Sequence, residues 1–186
     1  RRILDLRKRY EKTVYSKEQE IAQLRASHKL LLERLKSKID NKEVFVRRKK
    51  EHISIEMVNR VTFQKGRAEL TESSEETVNA IFSSLVPIRD GLIVIEGHAD
   101  NQRIHGSLLE KFSSNWELSL ARAATVVRYL ERKGIDPKRM SVVGYSYFRP
   151  IDSNLTVSGR SRNRRVEILL VPGVETNEKP STLTKQ

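Results

Sequence analysis

The stretch Gly91-Leu92-Ile93-Val94-Ile95-Glu96-Gly97, followed by a polar loop and then Ser114-Asn115-Trp116-Glu117-Leu118-Ser119-Leu120-Ala121-Arg122-Ala123, sets a strand against a helix. The run Leu92-Ile93-Val94-Ile95 is short, aliphatic and rich in β-branched residues, and reads as a strand buried on both faces. Ser114 with Glu117 three residues later forms a capping box, which opens a helix running to about Lys133. Gly134 is placed to end that helix, and Pro137 lies beyond it.

Working outward, the same alternation continues. Upstream, Ile53, Ile55 and Met57 alternate with polar residues as a strand does, and Val61 and Phe63 lead from it into a loop. Ser73 and Glu76 have the spacing of a second capping box. Val78, Ile81, Phe82 and Leu85 then fall at i, i+3, i+4 and i+7, the stripe of an amphipathic helix. Downstream, Met140–Gly144 reads as a short strand, and a loop follows with Pro150, Asn154 and Gly159. Arg165–Val171 is the last strand, with Val166, Ile168 and Leu170 on one face. The order β-α-β-α-β-β predicts an α+β sandwich with two helices on one face of a mixed sheet.

The first part of the chain is different. All eight glycines and all five prolines lie after residue 60, and residues 1–60 carry a net charge of +9 out of the chain's +12. Leu, Lys, Arg, Glu and Gln dominate up to about Asp40 and favour helix. Steps of four and three pick out the seam Ile3, Arg7, Tyr10, Val14, Lys17, Ile21, Leu24, His28, Leu31 and Leu35. It reads as a coiled coil of modest stability, interrupted by Arg7, Lys17 and His28; the alternative is one helix packed on its own domain. The resulting division is a helical stalk at 1–40, a basic linker at 41–52, a domain at 53–172 and a disordered tail at 173–186. The run Arg47-Arg48-Lys49-Lys50 suits a solvated linker, with contact to phosphates or anionic headgroups as the second reading.

Composition limits the chemistry. With no cysteine among 186 residues there is no disulfide framework, thiolate zinc site or cysteine nucleophile. No stretch approaches the ~20 apolar residues that span a bilayer. The start at Arg1-Arg2 leads us to expect an upstream segment, such as a signal peptide or membrane helix. Gly144-Tyr145-Ser146-Tyr147-Phe148 lacks the closing glycine of a nucleophile elbow. His98, Asp100 and His105 make a poor metal set, and no cofactor motif is present. Nucleic-acid binding fits the basic charge but lacks an aromatic stacking platform. Polar residues instead outline a groove. Asp100 follows the end of a strand, Asn115 opens a capped helix, and Arg122 lies two turns further on. A carboxylate and an arginine in one groove suit a zwitterion, and equally an internal salt bridge.

Gly97-His98-Ala99-Asp100, the block Ser114–Ala123 and Asn163-Arg164-Arg165-Val166-Glu167-Ile168 together resemble the OmpA-like peptidoglycan-binding domain, over roughly residues 53–172. Ser-Asn-Trp-Glu-Leu-Ser followed by Arg-Ala is similar to its MotB branch, the flagellar stator B subunits. The resemblance implies a non-enzymatic domain that grips the diaminopimelate of the stem peptide. Asp100 would bind the ammonium group and Arg122 the carboxylate, with Asn115, Leu118 and Arg164 lining the pocket. It further implies a homodimeric cell-wall anchor in the periplasm. An upstream transmembrane helix would tether that anchor to the inner membrane beside a stator A-type subunit. A lipoprotein or another ion-driven envelope complex is the alternative setting. The family usually has threonine where this chain has Ala99, and the lost hydroxyl removes a hydrogen bond worth about 0.5–1.5 kcal/mol.

Overall fold

The computed structural model describes residues 2–58, 68–106 and 109–171. The loop expected at Val61 and Phe63 and the tail expected at 173–186 lie outside these residues. A five-stranded sheet carries the fold, built from β1 (Val44–Arg48), β2 (Ile53–Val58), β3 (Leu92–Gly97), β4 (Met140–Gly144) and β5 (Arg165–Val171) in the order β1-β2-β5-β3-β4. Only β3 and β4 run parallel; the other neighbours are antiparallel. The expected mixed sheet with helices on it is therefore present.

The helices are α1 (Arg2–Arg34), α2 (Lys36–Asp40), α3 (Glu72–Leu85), α4 (Asn115–Lys133) and α5 (Val157–Asn163). One core joins α1, α3 and α4 to the inner sheet face: Leu31, Leu35, Val78, Ile81, Leu85, Val126 and Leu130 pack with Ile53, Ile55, Ile93, Ile95, Ile168 and Leu170. Among the described residues, no helix is long and apolar enough to cross a membrane.

Four details correct the sequence reading. The segment expected as a basic linker holds β1, whose Val44 and Val46 pair with Met57 and Ile55 while Arg47 and Arg48 are exposed. Charge on an edge strand blocks pairing with other chains, and here it also hides the alternation. Leu24, Leu31 and Leu35, from the heptad seam, are buried in this domain's core. The cap of α3 is Thr71, whose Oγ1 accepts from the Ser74 N–H; Ser73 lies inside the helix. Finally, β3 is buried at alternate positions, Ile93, Ile95 and Gly97, because the helices cover one face; Leu92, Val94 and Glu96 are half-buried.

The signals around α4 are realised as read. Ser114 Oγ accepts from the Trp116 N–H and donates to the Glu117 carboxylate. That contact, with backbone N–H groups at the helix start, holds Glu117 below the usual carboxylate range. Gly134 ends α4 at φ 107°, a left-handed conformation that glycine adopts without a steric penalty.

Candidate functional site

The site lies where the C-terminal ends of β3 and β4 meet the start of α4. Gly97 and Gly144 are register partners there. A Cβ on Gly97 would run into the Ser119 carbonyl, and one on Gly144 would come within 2.9 Å of the Leu120 nitrogen and Ser119 Oγ. Two glycines thus let the first turns of α4 press onto the strand ends. The backbone seals the junction: the Tyr145 N–H donates to Gly97 O at 2.9 Å and the Ala99 N–H to Ser146 O at 2.7 Å. Ser119 Oγ accepts from the Ser146 N–H and donates to Trp116 O, tying helix to turn.

On this base stand the residues expected from the sequence. Asp100 is 7% exposed; its Oδ1 accepts from the Gln102 N–H at 3.0 Å and its Oδ2 from Arg164 Nη1 at 2.6 Å. Asn115 Nδ2 donates to the carbonyls of Asp100 and Gln102, so the helix start fixes the loop that carries the carboxylate. Leu118 and Arg122 are buried on the same side of α4, one and two turns on. Burial, and then the Arg164 guanidinium, lower the Arg122 pKa to about 10, with Asp100 opposing the shift. All five residues therefore surround one junction. Asp100 forms its ion pair with Arg164 rather than Arg122, which places two guanidinium groups about one carboxylate.

His98 and His105 do not join them. His98 is buried, stacks on Tyr145 at 5.4 Å and lies 3.8 Å from Glu96 and 3.9 Å from Glu167. His105 is exposed. Among the described residues, no three acidic, histidine or cysteine side chains converge as a metal site.

Sequence reasoning missed three parts of the site. One is Ser119, whose hydroxyl staples the turn; it faces the sheet one turn after Asn115. Another is α5, which is too short to show periodicity. Its cap Thr156 Oγ1 accepts from the Gly159 N–H, and its C-terminal end delivers Arg164 to Asp100. The third is an exposed row of rings: Tyr147 stacks on Phe148 at 4.4 Å and Phe148 on Trp116 at 5.4 Å. The adjacent aromatics Tyr147-Phe148 in a loop were the available signal.

Comparison with known proteins agrees with this architecture. Residues 62–164 match the model of the OmpA family. Motility protein B of Bacillus subtilis is 36% identical over 162 residues, which cover 80% of this chain and 60% of that protein. This chain therefore spans less than two thirds of that relative. A MotB-like protein from Desulfovibrio vulgaris has the same fold at TM-score 0.77 and 24% identity, covering 84% of this chain and 98% of that one. The cell wall anchor of the type VI secretion system of Pseudomonas aeruginosa superposes at TM-score 0.71 and 28% identity, covering 76% and 96%. With the family's match spanning more than half its length, the chain belongs to the OmpA family.

Proposed function

We propose that this domain binds peptidoglycan without covalent chemistry and anchors a membrane complex to the cell wall. The ligand group is the zwitterionic end of a diaminopimelate residue in the stem peptide. Its ammonium meets Asp100, its carboxylate meets Arg122 and Arg164, and Asn115 and Leu118 line the pocket. The observation that carries this reading is the charge balance at the junction: a buried Asp100 is paired with Arg164 while Arg122 sits close enough to feel both. A zwitterionic ligand group finds a carboxylate and guanidinium groups side by side there, and charge-assisted bonds of this kind are the strong ones.

The setting we infer is the periplasmic part of a stator subunit of the motility protein B type, held to the inner membrane by an upstream segment and paired with a stator A-type subunit. The likeness to the Bacillus relative supports it. The exposed first half of α1, with Ile3, Tyr10 and Val14 on its surface, is where two copies would pair as a homodimer. The 28% identity to a secretion-system cell wall anchor favours a second reading, the same wall-binding domain in another envelope machine.

The test is co-sedimentation with purified sacculi. Asp100→Ala and Arg122→Ala should each lose binding while keeping the wild-type circular dichroism spectrum. A folded variant that still sediments like wild type would remove the pocket from the account.

A further inference from the structure

The basic run Arg47-Arg48-Lys49-Lys50 has no part in the wall pocket. It forms the end of β1 and the turn into β2, and strand alternation splits it. Arg47 stands on the outer face of the sheet, 3.5 Å from Glu56, while Arg48 falls on the side of Val44 and Val46, where α1 packs. Lys49 and Lys50 continue into the turn, which the Lys49 N–H closes on His52 O at 2.8 Å. Between that turn and α1 lies a cleft of about 480 Å³, lined by Ile21, Leu24, Arg25, Arg48, Lys49 and Lys50. Its charge is one-sided. All four charged residues of the lining are exposed cations, and among the described residues none of them has a carboxylate within ion-pair distance. The floor is aliphatic: Leu24 is buried, and Ile21 beside it is 47% exposed. His28, one turn beyond Leu24, is held below its usual pKa by burial and then by Arg48, the effect of a cation whose field is not neutralised.

We propose that this cleft docks on an anionic membrane surface, taking the phosphate of a phospholipid headgroup between Arg25 and the Arg48–Lys50 turn and the carbons next to it against Ile21. Two features commit the cleft to that occupant. Four cations without counter-charges complement a surface of phosphates, and each basic residue near such a surface contributes about a fivefold factor to partitioning. The half-exposed Ile21 finds cover in the glycerol and acyl carbons of a lipid, whereas a phosphate ion or a hydrophilic polyanion would leave it in water. None of the wall-pocket residues takes part. An upstream tether of the kind inferred above keeps the cleft near a membrane, because Ile21 lies about 30 Å along α1 from Arg2.

The full chain would be sedimented with sucrose-loaded vesicles of phosphatidylcholine, with and without phosphatidylglycerol. It should bind only the vesicles that contain phosphatidylglycerol, and less so as salt rises. The double variant Arg48→Glu/Lys50→Glu, at exposed positions, should melt like wild type and bind at least about tenfold more weakly. Lys36→Glu/Lys138→Glu makes the same change in net charge outside the cleft and should bind about as wild type does. Ile21→Ser should weaken binding about threefold and leave its salt dependence unchanged. The proposal is overturned if wild type binds both vesicle types equally or neither, or if the two double variants lose binding alike, since bulk charge would then be enough. If inorganic phosphate shifts the NMR amides of Arg48 and Lys50 while vesicles do not bind, the cleft is a free-anion site, which also overturns it. So does a vesicle-insensitive cleft whose Ile21→Ser variant loses self-association in sedimentation, because the floor then belongs to a second copy.

Discussion

On the helix-facing side of the sheet stand Ile53, Ile55, Met57, Ile93, Ile95, Val166, Ile168 and Leu170, all fully buried. At alternate positions of the same strands, on the opposite side, stand Ser54, Glu56, Arg165 and Glu167, which are 3–8% exposed. In the centre of β2 and β5 the two faces are excluded from water to nearly the same degree by opposite chemistry. Glu56, Glu167 and Glu96 even form one lateral row across β2, β5 and β3. Like charges in a row are tolerable only because partners surround them. Arg165 lies 2.7 Å from Glu167, Ser54 Oγ donates to Glu167 at 3.1 Å, Arg47 stands 3.5 Å from Glu56, and Tyr145 donates to Glu96 at 3.3 Å. Burial pushes Glu56 and Glu96 up; at Glu167 burial is outweighed by Arg165, which holds it down. One face is held by packing and is indifferent to pH; the other is held by pairing and titrates.

That contrast is breakable. Arg165→Met leaves Glu167 buried without its cation, and urea denaturation should show a loss of about 3–5 kcal/mol. A loss under about 1 kcal/mol would mean that pairing does not hold the outer face. Ile168→Ala, between those charges but pointing the other way, opens a cavity in the core and should cost about 2–5 kcal/mol. That cost should be the same at pH 5 and pH 7, whereas the cost of Arg165→Met should shrink at low pH as Glu167 protonates.

A smaller effect comes from His98. Burial, and then Arg165, lower its pKa to about 4 from the usual 6.5. Between those values the unfolded chain binds a proton that the folded chain refuses, so stability falls as pH drops from about 6.5 towards 4. Glu56 and Glu96, shifted upward, act with the opposite sign, so the histidine contribution has to be isolated by difference. Stability curves of wild type and His98→Gln should converge as pH falls through that window, with wild type losing its advantage. Parallel curves would show that His98 is not held neutral by the fold.

The smallest effect repeats the comparison along α1. Its second half buries Leu24 and Leu31 in the domain, with Leu35 just past its end, while Ile3 is 84% and Tyr10 71% exposed. Removing residues 1–20 should leave the unfolding midpoint in urea unchanged and abolish self-association in sedimentation. A drop in the midpoint would assign the first half a packing role within one chain. A chain beginning at Ile53, by contrast, loses β1 and three core leucines.

Both halves of α1 were written in the same heptad spacing, and this is where reading the sequence reaches its limit. Periodicity shows that a helix face wants covering; it does not say whether the cover is a second copy or the chain's own sheet. The residues Asp100, Asn115, Leu118, Arg122 and Arg164 could be named from local motifs, because cap, strand end and resemblance are all local. That Arg164 rather than Arg122 pairs with Asp100 could not, since α5 brings the two together across 64 positions. β1 was hidden because the charges that protect a sheet edge look like a solvated linker.

The sequence by itself determined the local elements: the Ser114 cap, the Gly134 stop, the β-branched strands and the amphipathic stripes. Their dihedral preferences and hydrogen bonds are satisfied within a few residues. Only the tertiary structure decided which apolar seam the domain would claim, which charges would be buried together on the outer face, and how Ser146 would turn two aromatics onto Trp116. Those outcomes depend on groups far apart in the chain, whose energies are fixed by distance and exclusion from water.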